Sequence, residues 1–248
     1  MISRYEAFMD GIPLSSVDPS VYVLNIQPGD NNPEIRTSKV AGRAGARVIR
    51  KEHNSLPVNI LFEIHEYDTV KRQAVCQKVK SWANGRILSV SDRPDQRLRC
   101  VCESYPNANA KEWTEALTVG FTAYNPPYWE SARETIVTTT SSKSAYVPGN
   151  APETLVSATV TVNSSISSLT LTTGSKSLVL SVSAVQGDRI YVGYDDNNIL
   201  FIKKNSTSIL GDRTGDDDLT VPCGDQATFS VSSDGSVTAE FRARGCWL

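Results

Sequence analysis

The sequence predicts a mainly β chain in two parts: an α+β N-terminal domain with one helix packed on a β-sandwich, then an antiparallel jelly-roll sandwich. Three observations predict it. Most apolar residues fall in short alternating runs, a single window carries helical spacing, and Asn125-Pro126-Pro127-Tyr128-Trp129 breaks the pattern near mid-chain. The expected domains are residues 1–130 and 149–248, with a linker at 131–148. A chain of 248 residues has room for two ordinary cores.

The first domain opens with a strand and a turn at Asp10-Gly11, followed by the apolar run Val21–Ile26 between Pro19 and Pro28-Gly29. Residues 36–56 hold Arg36, Lys39, Arg43, Arg47, Arg50 and Lys51 among Gly42 and Gly45, and read as an extended arm or long hairpin, with a solvated loop as the alternative. Leu56–His65 alternates, with Val58, Ile60, Phe62 and Ile64 on one face and His65 on the wetter one. Asp68 is placed to cap a helix over about residues 68–84. Val70, Ala74, Val75, Val79, Trp82 and Ala83 form its apolar stripe, facing a sheet, and Gly85 is its left-handed stop. A hairpin of Arg86–Ser91 and Leu98–Glu103 follows, turned through Asp92–Gln96, and then a strand from Glu115 to Tyr124. Pro126-Pro127 cannot continue a central strand, since proline offers no backbone donor.

After a Ser/Thr-rich stretch at Thr138–Ser144, strands are expected near 155–162, 168–172, 177–183, 188–194, 199–203, 227–232 and 237–243. Gly174, Gly187, Gly211, Gly224 and Gly235 punctuate them and no helical period appears, which is the pattern of a two-sheet antiparallel sandwich.

Charge excludes one class of partner. Residues 1–130 carry 16 Lys and Arg against 15 Asp and Glu, and residues 131–248 carry 9 against 12. Neither half has the basic field that nucleic-acid binding needs. Met1–Glu6 lacks the apolar core of a secretory signal, and no apolar stretch approaches the roughly 20 residues that span a bilayer, so a chain made and kept soluble in a cytoplasm is expected. Five cysteines, at 76, 100, 102, 223 and 246, show no CxxC spacing; neither a disulfide framework nor a zinc site is expected, and Cys100 and Cys102 read as small buried hydrophobes on one side of a strand.

The order of pieces carries a resemblance. Phe8-Met9-Asp10-Gly11, Arg43-Ala44-Gly45, a helix ending in Ser81-Trp82-Ala83-Asn84-Gly85, the Asp92-Arg93-Pro94 turn and the closing Thr118–Pro127 together resemble the N-terminal domain of the distal tail (Dit) proteins of long-tailed bacteriophages and prophages. Pro222-Cys223-Gly224 and Phe241-Arg242-Ala243-Arg244-Gly245-Cys246-Trp247 resemble that family's galectin-like C-terminal domain, so the likeness spans essentially the whole chain. The family often opens its second domain with Asn-x-Gly and a later proline, where this chain reads Gly149-Asn150-Ala151-Pro152. No inserted carbohydrate-binding module is evident, so the likeness is to the compact form.

The resemblance implies a structural hub: a hexameric ring at the phage tail tip, with N-terminal domains forming ring and bore and C-terminal domains projecting outward. Its implied partners are the tail tube protein, a tail-associated lysin or tip protein, and receptor-binding or baseplate proteins, with no membrane partner and with phage DNA only passing through the bore. Residues 36–51 would then be a belt reaching the neighbouring subunit.

Other functions were weighed on the residues. A lectin-like reading would use Tyr191, Tyr194 and Trp247 to stack a host glycan and Asp195, Asp196, Asn197 and Asn198 to bind its hydroxyls, although the acidic-amide run also reads as a plain turn. Calcium at Asp212 and Asp216-Asp217-Asp218 lacks the terminal bidentate Glu of a calcium loop, which favours a solvated acidic turn. A Cys/His hydrolase would need His53 or His65 beside a cysteine, and no such signature is present. No catalytic, cofactor-binding or metal-ligating residue is assigned, and no enzyme is expected.

Overall fold

A computed structural model describes residues 5–29, 33–39, 44–107, 116–195 and 197–248. The chain divides into two units, Met1–Trp129 with Leu248, and Glu130–Trp247. Among the described residues there is one α-helix, and it is not long and apolar enough to cross a membrane.

The first unit runs β1 (Ala7–Met9), β2 (Ile12–Pro13), β3 (Val21–Pro28), β4 (Glu34–Ser38), β5 (Arg47–Glu52), β6 (Leu56–Ile64), α1 (Thr69–Trp82), β7 (Ile87–Val90), β8 (Arg93–Arg99), β9 (Val101–Ser104) and β10 (Ala116–Ala123). Met1–Arg4, Arg43 and Glu115 lie outside the described residues. One antiparallel sheet has the order β3-β6-β10-β9 and another contains β8-β7-β1-β2. The alternation along β6 buries Leu56, Val58, Ile60, Phe62 and Ile64. Against them β10 sets Leu117, Val119 and Phe121. Asp68 caps α1, its Oδ1 accepting from Val70 N at 2.8 Å and Lys71 N at 3.2 Å. These two bonds hold the Asp68 carboxyl below its ordinary pKa.

Four expectations for this unit need correction. Val75, Val79, Trp82 and Ala83 are buried as expected, but Val70 is 76% exposed and Ala74 is exposed too, and Arg72 and Cys76 complete the core-facing stripe in their place. Helix α1 ends in right-handed geometry at Ala83, and Gly85 is a glycine because a Cβ there would stand 2.2 Å from Met9 Cγ and 2.5 Å from Asp10 Oδ2. The turn after β7 is only Ser91-Asp92, so Arg93 and Pro94 already lie in β8, while Cys102 belongs to β9 in the other sheet. Of the two cysteines only Cys100 is fully buried, and burial pushes its thiol up to about 12.

The separate N-terminal motifs meet at one joint. Asp10 (φ 50°) and Gly11 (φ 82°) form the two-residue turn between Met9 and Ile12, a loop in which both central residues must be left-handed. The Asp10 carboxylate accepts from Arg86 N at 3.1 Å and Ile87 N at 3.0 Å, and Trp82 Nε1 donates to Ile12 O at 2.8 Å. The opening hairpin is thereby clamped to the end of the helix, whose Trp82 ring lies edge-on to Phe121, centroids 6.1 Å apart. Asp10→Ala removes both acceptors and places alanine at positive φ. It is expected to cost about 1–2 kcal/mol in urea unfolding, with Asp10→Asn losing less.

The second unit contains β11 (Trp129–Thr139), β12 (Ser142–Val147), β13 (Thr154–Val162), β14 (Leu169–Thr173), β15 (Lys176–Leu180), β16 (Arg189–Tyr194), β17 (Leu200–Lys204), β18 (Thr207–Ser208), β19 (Arg213–Gly215), β20 (Thr220–Val221), β21 (Asp225–Ser233) and β22 (Val237–Trp247), β11 beginning one residue before its boundary. One sheet has the order β12-β21-β14-β15-β19. The other contains β18-β17-β16-β13-β22-β11, with β20 also on β13. Val156, Val160, Ile190, Phe241 and Phe229 lie in a single hydrophobic core confined to this unit. The expected linker at 131–148 is instead almost wholly strand. Residues 142–147 pair with 225–230 along β21, and Ser141 O accepts from Val231 N at 2.7 Å. Serine, threonine and charged residues take many of these strands' less buried positions, which is why composition alone suggests a linker.

Candidate assembly surface

Strands β4 and β5 form a two-stranded sheet that pairs with no other strand among the described residues. Glu34 faces Glu52, Ile35 faces Lys51 and Arg36 faces Arg50. The register then slips by one, so that Thr37 faces Val48 and Ile49 is the extra residue of a bulge. Ile35, Val48 and Ile49 are 54%, 58% and 66% exposed, beside exposed Arg36, Lys39, Arg47 and Arg50. At its base Asn54 Nδ2 donates to Glu34 Oε2 at 2.7 Å. A lone two-stranded hairpin is marginally stable in water, and three exposed aliphatic side chains on it are a surface that gains by being covered. The arm or long hairpin expected over residues 36–56 is therefore a hairpin, although Arg43, and with it part of the Arg43-Ala44-Gly45 motif, lies outside the described residues.

The residues considered for glycan binding do not share a platform. Tyr191 sits opposite Thr159, which sits opposite Glu240, so Trp247 lies seven residues farther along its strand, about 24 Å away at strand rise. Tyr194, three residues from Tyr191, points to the other face. Its hydroxyl accepts from Leu219 N at 2.9 Å, and burial pushes it up to about 12. Asp195 Oδ1 accepts from Asn197 N and Ile199 N, both at 2.8 Å, and Asn198 takes φ 57°, so this run is an Asx-type turn between β16 and β17; Asp196 lies outside the described residues.

The acidic residues do not form one loop: Asp212 ends a 3-10 turn, β19 follows, and Asp216–Asp218 lie in the bend between β19 and β20. Asp216 Oδ2 accepts from Ser177 N at 2.7 Å and Asp217 Oδ1 pairs with Arg213 Nη2 at 2.8 Å. Burial, then the neighbouring Asp217, raises the pKa of Asp218. Among the described residues no three His, Cys, Asp or Glu side chains converge to hold a metal. His65 Nε2 lies 2.8 Å from Glu63 Oε2 and against Tyr22, and His53 meets Tyr128 edge-on.

Two β-rich units in this order, the first carrying one capped helix and the β4–β5 hairpin, are a fold shared with a solved bacteriophage protein. The solved structure that carries the comparison is the Dit protein of phage SPP1, described as a paradigm of the hub adsorption apparatus in phages that infect Gram-positive bacteria. It matches with a TM-score of 0.75 at 13% identity, covering 97% of this chain and 98% of that one. The fold expected from the distal-tail resemblance is thus the fold observed. Chains of the phage P2 baseplate in its activated conformation, with Ca and with Sr, match at TM-scores of 0.48 and 0.46 and at 8% and 10% identity, and no conclusion is drawn from them. No family model matches the sequence, and no curated protein matches it.

Proposed function

We propose that this chain is a structural protein of a phage tail tip, a hub that closes into a hexameric ring and joins the tail tube to the baseplate or receptor-binding apparatus. The observation that carries the reading is the whole-length match to the SPP1 hub fold. The hairpin, which pairs with no other strand among the described residues, supports it, since ring closure needs a surface on each copy that fits a different surface on the next. In this reading residues 1–130 build the ring and bore, the second unit projects as the docking platform, and the protein works by assembly without turnover. Its place is the tail tip of the virion. Its partners are the tail tube protein, a tail-associated lysin or tip protein and receptor-binding proteins.

Light scattering across a concentration range, followed by negative-stain microscopy, tests the reading. Six 27.1 kDa chains in an annulus are the expected result, and a monomer at every concentration, with tail tube protein present as well as absent, overturns it. The hairpin has its own test. Replacing Ile35, Val48 and Ile49 together by Glu is expected to abolish the hexamer while leaving the thermal midpoint of the monomer within about 2 °C, because exposed positions contribute little to folding. An unchanged hexamer removes the belt role.

A further inference from the structure

The junction where the second unit opens and closes holds a pair of thiols. Gly149 forms an isolated parallel bridge with Cys246, and Cys246 O accepts from both Asn150 N at 2.9 Å and Ala151 N at 3.1 Å. From the other side Gly224 N donates to Val147 O at 2.8 Å, and a Cβ on Gly224 would stand 2.6 Å from Gly149 O. The loop carrying Pro222-Cys223-Gly224 is therefore stacked, with Gly149 between, on the last strand. Here Cys246 Sγ lies 3.4 Å from Thr154 Oγ1 and 3.6 Å from Arg244 O, and the Cys223 and Cys246 side chains interact with each other. Cys246 is 1% exposed and Cys223 is half-buried, so solvent reaches the pair from the Cys223 side.

We propose that Cys223 and Cys246 are a redox-sensitive pair that closes into a disulfide across this junction when the protein meets a low-molecular-weight disulfide. The two sulfurs have unequal roles. The interaction with Cys246 outweighs burial and draws the Cys223 thiol below its ordinary pKa, which favours its thiolate, the attacking form. The same interaction, with burial, holds Cys246 protonated. The Cys223 thiolate attacks one sulfur of the small disulfide, forming a mixed disulfide and expelling the first small thiolate. That thiolate takes the Cys246 proton. Cys246 sulfur then attacks the Cys223 sulfur, the protein S–S bond forms and the second small thiolate leaves, to be protonated by water. Two protein thiols are oxidised and one small disulfide is reduced to two thiols.

Closure ties off the 24 residues from Cys223 to Cys246, which comprise all of β21 and nearly all of β22, and so fastens the final strand to the loop before β21. A cytoplasm keeps such a pair reduced and an oxidising medium closes it. On the tail-tip reading this would happen after release from the host, but the thiol chemistry does not depend on that reading.

The test uses the full chain incubated with oxidised glutathione, followed by thiol titration in denaturant, peptide mapping and thermal unfolding. Two of five thiols are expected to disappear into one crosslink between the peptides carrying Cys223 and Cys246, raising the unfolding midpoint of the second unit by about 5–10 °C until reductant is added. Cys223→Ser and Cys246→Ser should each lack both the crosslink and the shift. A glutathione adduct left on Cys223 with Cys246 still reduced, or two unreacted thiols while Cys102 has been modified, overturns the proposal.

Discussion

Gly149→Ala is expected to cost the second unit at least about 3 kcal/mol, enough to shift its urea midpoint by more than 1 M. Two effects coincide. The residue sits at φ 124°, a conformation in which any Cβ is strained, and that Cβ would stand 2.0 Å from Cys246 O and 2.8 Å from Cys246 C and N. These neighbours are backbone atoms of a long buried strand, so relief requires moving β22 itself and loosening the bonds from Asn150 N and Ala151 N. Gly187→Ala separates the two causes: its φ is 92°, but nothing lies within 4 Å of the added Cβ, and a loss of only about 1–2 kcal/mol is expected. Equal losses for the two variants would show that the Gly149 junction relaxes and that close approach is not what demands glycine.

That junction was only half visible in the sequence. Gly149, Pro222-Cys223-Gly224 and Gly245-Cys246 stand out as separate motifs, but their meeting depends on non-local pairing, and no local pattern encodes it. The same holds for Asp10-Gly11 and Trp82–Gly85, which composition presents as a turn and a helix end and folding joins through the Asp10 carboxylate. What was legible had a local cause. Each of the seven strands expected after residue 150 is present, because glycine and polar turns bracket clear alternation. Helix α1 was announced by Asp68 and its spacing, although burial of Arg72 in place of Val70 was not, since the long arginine stem can cover apolar surface while a periodicity argument counts it as polar. Strands β11 and β12 escaped because few of their residues are fully buried; Val137 and Val147 are among those few. The expected aromatic platform is not formed, and the reason is parity: Tyr191 and Tyr194 are three apart on a strand, and an odd spacing places them on opposite faces.

Phe241→Ala is the other large effect, at about 3–5 kcal/mol. Phe241 is fully buried on β22, opposite Ala158, and its ring lies 5.6 Å from that of Phe229 on β21, which belongs to the facing sheet. The pair therefore spans the sandwich, and truncation removes both the buried area and the aromatic contact, leaving a cavity that Ala158 is too small to fill. Phe241→Leu keeps most of the volume and should lose less than half as much. Because the core containing Phe241 is confined to residues of the second unit, the loss should appear there alone. Calorimetry of Phe241→Ala is expected to show the second unit's transition lowered by roughly 10 °C or more and the first unit's unchanged. On the tail-tip reading the variant still closes a ring while its outward platform is weakened. A single transition that moves as a whole would mean the two units fold as one cooperative body, and the division of labour between ring and platform would then lack its physical basis.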